Sequence, residues 1–340
     1  MKTGWRFPWL LLPITLALLL SGCGRGRGRA QEIAFVSAPQ AILRDHVSAV
    51  FSKTGVVKNG DRVQILERER RFARVRTANG TEGWIEQRSL VPQSVYDGFQ
   101  KLAQQEQKAP IQAAGTTRND TNIHLDPGRE TEHLYLLNQG SKVSILKRAT
   151  AEKVVPGAVT KPASGGKNDS AKPSALLEDW WLIRDSEEHV GWVLSRMVDL
   201  DVPLEIAQYA EGQRPVAFFV LNQVADGDKK VSQYLVVLTE PKDGLPFDYN
   251  QIRVFTWNVK RHRYETAYRE RNLSGVLPVT VSQEDFGKEG ILPIFMLQVK
   301  DDDGNLSERK YKMNTPIVRR VLAAGEVKET SAPRKKPRHH

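Results

Sequence analysis

One cysteine, Cys23, and seven histidines, His46, His124, His133, His189, His262, His339 and His340, are the side chains best suited to act as nucleophile, base or metal ligand. A thiol nucleophile needs a base beside it, and a helical zinc hydrolase site needs two histidines at i, i+4 with a glutamate between them. No histidine pair has that spacing, and a single thiol builds neither an intrachain disulfide nor a multi-thiolate site. His339-His340 end a basic tail. The Gly-x-Ser-x-Gly, phosphate-loop and dinucleotide fingerprints are absent from the sequence. Glu187-Glu188 and Asp301 to Asp303 stand in turn contexts, where solvation is the default role of carboxylates. The expectation is a protein that is not an enzyme and uses no cofactor and no metal.

Cys23 is set apart by what precedes it. Lys2 and Arg6 open the chain, an apolar run extends from Trp9 to Leu20, and Leu20-Ser21-Gly22-Cys23 follows. A run of about 12 residues is too short for a hydrocarbon core that needs about 20, and it fits a signal h-region of about 7–15. Residues 1–22 therefore read as an export signal. Small residues before a cysteine resemble the bacterial lipobox, which implies that Cys23 becomes the first mature residue and carries lipid. Two or more acyl chains give stable anchoring where one gives marginal binding. In diderm bacteria an Asp after that cysteine resembles an inner-membrane retention signal; Gly24 stands there instead. The expected location is the periplasmic leaflet of an outer membrane. Gly24 to Arg29 alternates glycine with arginine, so 23–30 reads as a flexible basic tether, each guanidinium worth about 1 kcal/mol near an anionic surface.

Charge placement narrows the partners. The net charge is +10, but Lys2, Arg6, Arg25, Arg27 and Arg29 lie at one end and Arg334, Lys335, Lys336 and Arg338 at the other, which leaves +1 for the body. A basic stripe on a folded face, the footprint of a nucleic-acid binder, is not present in that pattern. Residues 323–340 read as a disordered basic tail.

The body contains an internal repeat. Phe72-Ala73-Arg74-Val75-Arg76, six residues, then Gly83-Trp84-Ile85 matches Trp180-Trp181-Leu182-Ile183-Arg184, six residues, then Gly191-Trp192-Val193. Upstream, Gly60-Asp61-Arg62-Val63-Gln64-Ile65-Leu66 matches Gly140-Ser141-Lys142-Val143-Ser144-Ile145-Leu146. Short β-branched runs broken by turn residues predict small antiparallel barrels, with Asn79-Gly80 supplying positive φ for a tight hairpin. The pattern resembles the bacterial-type SH3 domain, whose signature runs from Gly-x-x-Val-x-(Ile/Val)-Leu through aromatic-x-x-Val-Arg to Gly-Trp-(Val/Ile). The resemblance places copies at 31–92 and 116–201, with Trp84 and Trp192 as candidate ligand contacts. The first copy has Leu43-Arg44-Asp45 in place of the family's Gly-Pro loop. The second keeps that turn in Ile123 to Gly128 but puts Asp126 where the family arginine falls, which makes Asp126 a further candidate.

The second copy is longer. Residues 148–178 contain Val154-Val155-Pro156-Gly157, Lys161 to Gly166 and Ala171-Lys172-Pro173-Ser174, with too little bulky apolar material to fold, so a disordered hairpin-tip insertion is expected. Between the copies, over 93–115, Val95 to Ile111 has helix formers with Phe99 and Leu102 at i, i+3 and stops at Pro110, which predicts a linker helix.

Residues 203–322 alternate strand-like runs with Asp-Gly and Asp-Asp-Asp-Gly turns, which predicts an all-β unit, a β-sandwich or a single curved sheet. If 259–262 is a hairpin loop, Trp257 faces Tyr264, Phe255 faces Thr266 and Arg253 faces Tyr268. One face then carries Phe255, Trp257, Tyr264 and Tyr268, an aromatic stripe that either packs a core or stacks sugar rings. The loop Lys260-Arg261-His262-Arg263 either meets carboxylates or phosphates or is solvated. Tyr264, Tyr268, Arg261 and His262 are therefore candidate contacts. Arg253 to Trp257 and Arg261 to Arg271 also resemble a C-terminal module of some acidobacterial lipoproteins with paired SH3-like domains.

The fold class expected overall is mainly β: two SH3-like barrels, a short helix between them and an antiparallel β unit. The anchor and the repeated modules point to a non-catalytic envelope binding protein that holds peptidoglycan or an envelope partner near the membrane. An assembly subunit of an envelope complex and a wall-processing enzyme with a site in 203–322 are the alternatives; fold resemblance alone does not choose among them.

Overall fold

The computed structural model describes residues 32–153 and 176–322. The expected signal peptide, Cys23 with its tether, residues 154–175 of the insertion and the basic tail lie outside the described residues. Within them the chain is mainly β, with three antiparallel seven-stranded sheets and two α-helices. Each sheet is open, so the expected barrels are unclosed sheets. No helix among the described residues is long and apolar enough to cross a membrane.

The first sheet contains β1 (Glu32–Val36), β2 (Gln40–Arg44), β3 (Lys53–Lys58), β4 (Arg62–Glu69), β5 (Phe72–Thr77), β6 (Glu82–Glu86) and β7 (Leu90–Pro92). Alternation sends Val63, Ile65, Ala73, Val75 and Ile85 into one apolar cluster with Leu43 and Val57, as half-buried strands require. The β5–β6 turn uses one positive-φ residue, Gly80, while Asn79 accepts a hydrogen bond from the Thr81 N–H; the expected pair of positive-φ residues is reduced to one.

After α1 (Gln93–Gln105), the second sheet is formed by β8 (Ala113–Thr117), β9 (Thr121–His124), β10 (His133–Leu137), β11 (Lys142–Glu152), β12 (Leu177–Asp185), β13 (Val190–Leu194) and β14 (Val198–Leu200). The strand order is β3-β2-β6-β5-β4-β1-β7 in the first sheet and β10-β9-β13-β12-β11-β8-β14 in the second, the same path offset by seven strands. The repeat read from sequence is thus a repeat of topology. Its second unit begins at Ala113, three residues before the expected boundary. The expected insertion is also narrower than 148–178. β11 and β12 stay paired out to Glu152 and Leu177, because Arg148, Glu178 and Asp179 are held there by buried ion pairs.

A short helix, α2 (Leu204–Ala207), leads to the third sheet: β15 (Arg214–Asp226), β16 (Lys229–Thr239), β17 (Tyr249–Asn258), β18 (Arg263–Asp285), β19 (Ile291–Lys300), β20 (Leu306–Asn314) and β21 (Ile317–Val321). These pair in chain order as a single meander, the curved-sheet alternative. The β17–β18 hairpin pairs Trp257 with Tyr264 and Phe255 with Thr266, but a bulge between Val254 and Phe255 puts Tyr268 opposite Val254, in place of the expected Arg253. One extra residue reverses the face of all that follows it. Phe255 accordingly packs with Val236, Leu238 and Ile206, with Tyr264 at the edge, whereas Tyr268 packs on the other face with Tyr311.

The three units are tied side to side. Tyr96 of α1 stacks on Phe35 of the first sheet at 4.2 Å between centroids, and Phe99 meets Tyr135 of the second edge-on at 5.3 Å. The Asn59 side chain donates to the Leu134 carbonyl at 2.6 Å and accepts from the Leu136 N–H at 3.1 Å. Gln112, wholly buried, donates through its side-chain amide to the Val279 carbonyl and accepts from the Val279 N–H, which joins the second unit to the third sheet.

Candidate functional site

The two Gly-Trp strands occupy equivalent places. Trp84 on β6 lies opposite Arg44 on β2, and Trp192 on β13 lies opposite His124 on β9. The glycine before each tryptophan is there because the neighbouring strand passes too close for a side chain. A Cβ on Gly83 would lie 2.7 Å from Leu43 Cβ and 3.1 Å from the Arg44 carbonyl, and one on Gly191 would lie 2.7 Å from the His124 carbonyl and against Ile123. Both tryptophans are half-buried.

At the equivalent corner each unit sets a nitrogen-bearing side chain against an aromatic ring. In the first unit the Arg44 guanidinium lies 4.1 Å from the Phe51 centroid and 5.1 Å from that of Phe72, with Glu86 at 3.8 Å. In the second, His124 meets Trp180 edge-on at 5.3 Å and His133 at 5.4 Å. Its Nδ1 faces the Thr131 carbonyl at 3.2 Å and the Thr131 hydroxyl at 3.1 Å. Burial, followed by the charge of His133, holds the His124 pKa below its ordinary value. The 125–132 loop is fixed from below by Arg129, which grips buried Glu178 with two hydrogen bonds of 2.7 Å. Asp126 is exposed in this loop, and its carbonyl accepts from Thr131 Oγ1 at 2.7 Å.

The surroundings of the two tryptophans differ. Trp192 packs with Leu102, Ala103 and Ala109 of α1 and its C-terminal extension over Leu146, Leu182 and Val190. Beside it, α1 and the turn from β12 into β13 line a cleft of about 560 Å³, with Tyr135, His189, Arg184 and Glu187 among its walls. Tyr135 stacks on His189 at 3.7 Å, and His189 Nδ1 lies 2.9 Å from Asp185. Burial pushes the Tyr135 hydroxyl up to about 12, with the charges of nearby groups adding to it. The cleft offers aromatic faces, one guanidinium and carboxylates.

The C-terminal candidates are brought together only in part. Arg261, His262 and Tyr264 share one hairpin, where His262 Nδ1 lies 2.7 Å from Asp226, Trp257 donates to the same carboxylate at 2.9 Å and Arg261 pairs with Glu265 at 3.1 Å. The hydrogen bonds from His262 and Trp257 hold Asp226 below the usual carboxylate range. The Tyr264 hydroxyl donates to the Ser232 carbonyl, and Tyr268, across the sheet, donates to Glu270. Arg261, His262 and Arg263 of this basic loop are therefore satisfied by acids of their own sheet. Arg44, Phe51, Tyr135 and His189 escape a reading by motif. The signal for the first was its alignment with His124, both one residue after a buried Leu43 or Ile123. Among the described residues no group of three or more His, Cys, Asp and Glu side chains is arranged to hold a metal ion.

Comparison with known proteins agrees with this layout. Residues 40–91 match the bacterial SH3 domain family, and residues 105–199 match the GW (Gly-Tryp) dipeptide domain family. The second unit thus matches the GW family, where a second bacterial SH3 domain was expected. These are binding-type modules, and together they suggest a cell-wall binding role. No curated protein matches the chain. Among solved structures, an NlpC/P60 family protein from Bacillus cereus is 9% identical over 56% of this chain and 65% of that one, with a TM-score of 0.23. NlpC2 from Trichomonas vaginalis is 12% identical over 86% of this chain and 96% of that one, with a TM-score of 0.17. Scores this low carry no argument about fold or activity.

Proposed function

We propose that this protein is a non-catalytic, lipid-anchored binding protein of the cell envelope that recognises peptidoglycan through its two N-terminal modules. The observation that carries the reading is the pair of family matches over 40–91 and 105–199, modules of binding type that repeat one topology in one chain. Cys23 supplies the anchor, and a chain held there keeps both modules within reach of the wall. Linked weak sites raise avidity by about 10²–10⁴ when both can engage at once. Asn59 and α1 hold the two units in a fixed relation, so the gain goes to a ligand that repeats in space, as a wall polymer does.

The test is sedimentation of the protein starting at Gly24 with purified sacculi at physiological salt. Co-sedimentation is expected, with Trp84→Ala and Arg44→Ala each weakening it severalfold. A protein that stays in the supernatant while it captures a defined envelope protein instead removes the wall-binding reading and leaves the assembly subunit. Release of muropeptides from the sacculi would show a wall-processing enzyme.

A further inference from the structure

Outside the two modules, the third sheet contains a polar cleft of about 310 Å³. Its floor is made by Gln251 and Arg253, two residues apart on β17 and therefore on one face of the sheet. Both are almost completely buried, at 5% and 1% exposure. Long polar side chains beside Ile252, Val254 and Phe255 of the same strand are costly to bury, and each donor left without an acceptor costs about 1–3 kcal/mol. Arg253 spends its two terminal nitrogens on the Tyr209 carbonyl and on Glu211, each at 2.5 Å. Gln251 uses its carbonyl to accept from Arg271 Nε at 3.1 Å. Among the described residues, Gln251 Nε2, Arg253 Nε and, at the wall, Asn250 Oδ1 are buried with no hydrogen-bond partner.

The unmatched groups divide by kind. On the floor, Gln251 Nε2 and Arg253 Nε are donors, and the half-exposed Arg271 guanidinium stands beside them, 3.9 Å from Glu211. The lining also holds acceptors: Asn250 Oδ1, and the exposed Glu240 carboxylate, to which the Asn250 amide donates at 3.2 Å. Glu211 is already engaged by Arg253 at 2.5 Å and by Arg269 at 3.0 Å. A cleft at the small end of ligand sites, with no aromatic ring among its lining residues, suits a small polar molecule better than a sugar ring or an apolar group.

We propose that this cleft binds a small zwitterion, with a carboxylate taken by Gln251, Arg253 and Arg271 and an ammonium group taken by Glu240 and Asn250, the chemistry shared by a free amino acid and a short peptide. Charge-assisted hydrogen bonds of this type are the strong ones, and a carboxylate satisfies several converging donors at once. Nothing in this site depends on the modules of residues 32–200, so it stands or falls apart from the wall-binding reading.

The test is titration calorimetry of the full chain with alanine, alanyl-alanine, alanyl-alanine amide, N-acetyl-alanyl-alanine and inorganic phosphate. Alanine or alanyl-alanine is expected to bind, and whichever is tighter identifies the source as free amino acid or peptide. The amide and the N-acetyl derivative are each expected to bind at least tenfold more weakly than alanyl-alanine. Arg271→Ala and Glu240→Ala change side chains outside the core, one half-exposed and one exposed, so the folded sheet persists, as circular dichroism checks, and each should weaken binding at least tenfold. No heat with either zwitterion overturns the proposal. So does phosphate binding as tightly as the better zwitterion, or zwitterion binding unchanged in both variants.

Discussion

Replacing Arg148 by Met tests what joins the second unit to the third sheet. Arg148 lies on β11, 4% exposed, and its guanidinium reaches Asp179 at 2.6 Å and Asp248 at 3.1 Å, with the carbonyls of Phe247 at 3.0 Å and Leu245 at 3.3 Å. Asp179 is fully buried and is also held by Arg214 at 2.6 Å and by the Gly244 N–H at 2.9 Å. Burial pushes its carboxyl up, but the hydrogen bonds from Arg148, Gly244 and Arg214 outweigh burial and hold it below its ordinary value of 3.8. A carboxylate with a lowered folded-state pKa contributes in full above its unfolded value and loses that contribution as the pH falls through the lower, folded one. The network is therefore complete at neutral pH.

Met fills the volume of Arg148 and removes its charge. Taking one partner from a buried ion pair costs about 3–5 kcal/mol, because the remaining charge stays desolvated. At about 2–4 °C per kcal/mol for a unit of roughly this size, Tm should fall by about 6–20 °C in differential scanning calorimetry at pH 7. Asp179→Leu alone should cost a similar amount. Combining the two should cost less than the sum by at least about 1 kcal/mol, since neighbours in one network are not additive. A Tm for Arg148→Met within 2 °C of the parent, or strictly additive losses, would refute the assignment of this network as the joint.

Three further outcomes are expected. Gly191→Ala should lower Tm more than Gly83→Ala, because the new Cβ meets a backbone carbonyl at 2.7 Å in one case and 3.1 Å in the other; the reverse order in thermal melts would mean that β9 can move aside. His124 has a folded-state pKa below its ordinary 6.5, so the unfolded chain binds the extra proton and stability drains as the pH falls below about 6.5. Tm should be lower at pH 5.5 than at pH 7.5, and His124→Gln should shrink that difference; an unchanged difference assigns the acid sensitivity elsewhere. Labelling with a clickable fatty acid should mark the wild type and leave Cys23→Ser unmarked, and label retained in the variant would sink the lipid anchor.

What could be read from the residues were features that local chemistry repeats. The offset between the two Gly-Trp strands carries over to topology, because the glycine is dictated by the strand crossing beside it and the tryptophan by the half-buried place after it. The Trp257–Tyr264 hairpin could be read for a similar reason, since pairing near a turn follows from the turn. Tyr268 could not. A bulge leaves no mark in composition, and its effect on every later side chain is total. Arg148 and Glu178 looked like the rim of a polar insertion because a charged residue reads as solvated until its partner is known. Their partners, Asp248 and Arg129, are 100 and 49 positions away.

The same distance effect explains why the tryptophans looked equivalent and are not. Sequence aligns them residue for residue, but only Trp192 lies among the residues that α1 and its extension cover, and only Trp84 lies opposite an arginine that rests on aromatic rings. A ligand that meets the first unit at this corner encounters a guanidinium that rests on aromatic rings beside Glu86. At the second unit it encounters an imidazole whose pKa burial lowers and a tryptophan shared with the helix. The two units therefore cannot contribute equal and interchangeable contacts. At these two equivalent corners, binding that depends on charge should reside mainly in the first unit, while the second supplies the cleft beside α1, with its own guanidinium and carboxylates, and the joints to the first unit and the third sheet.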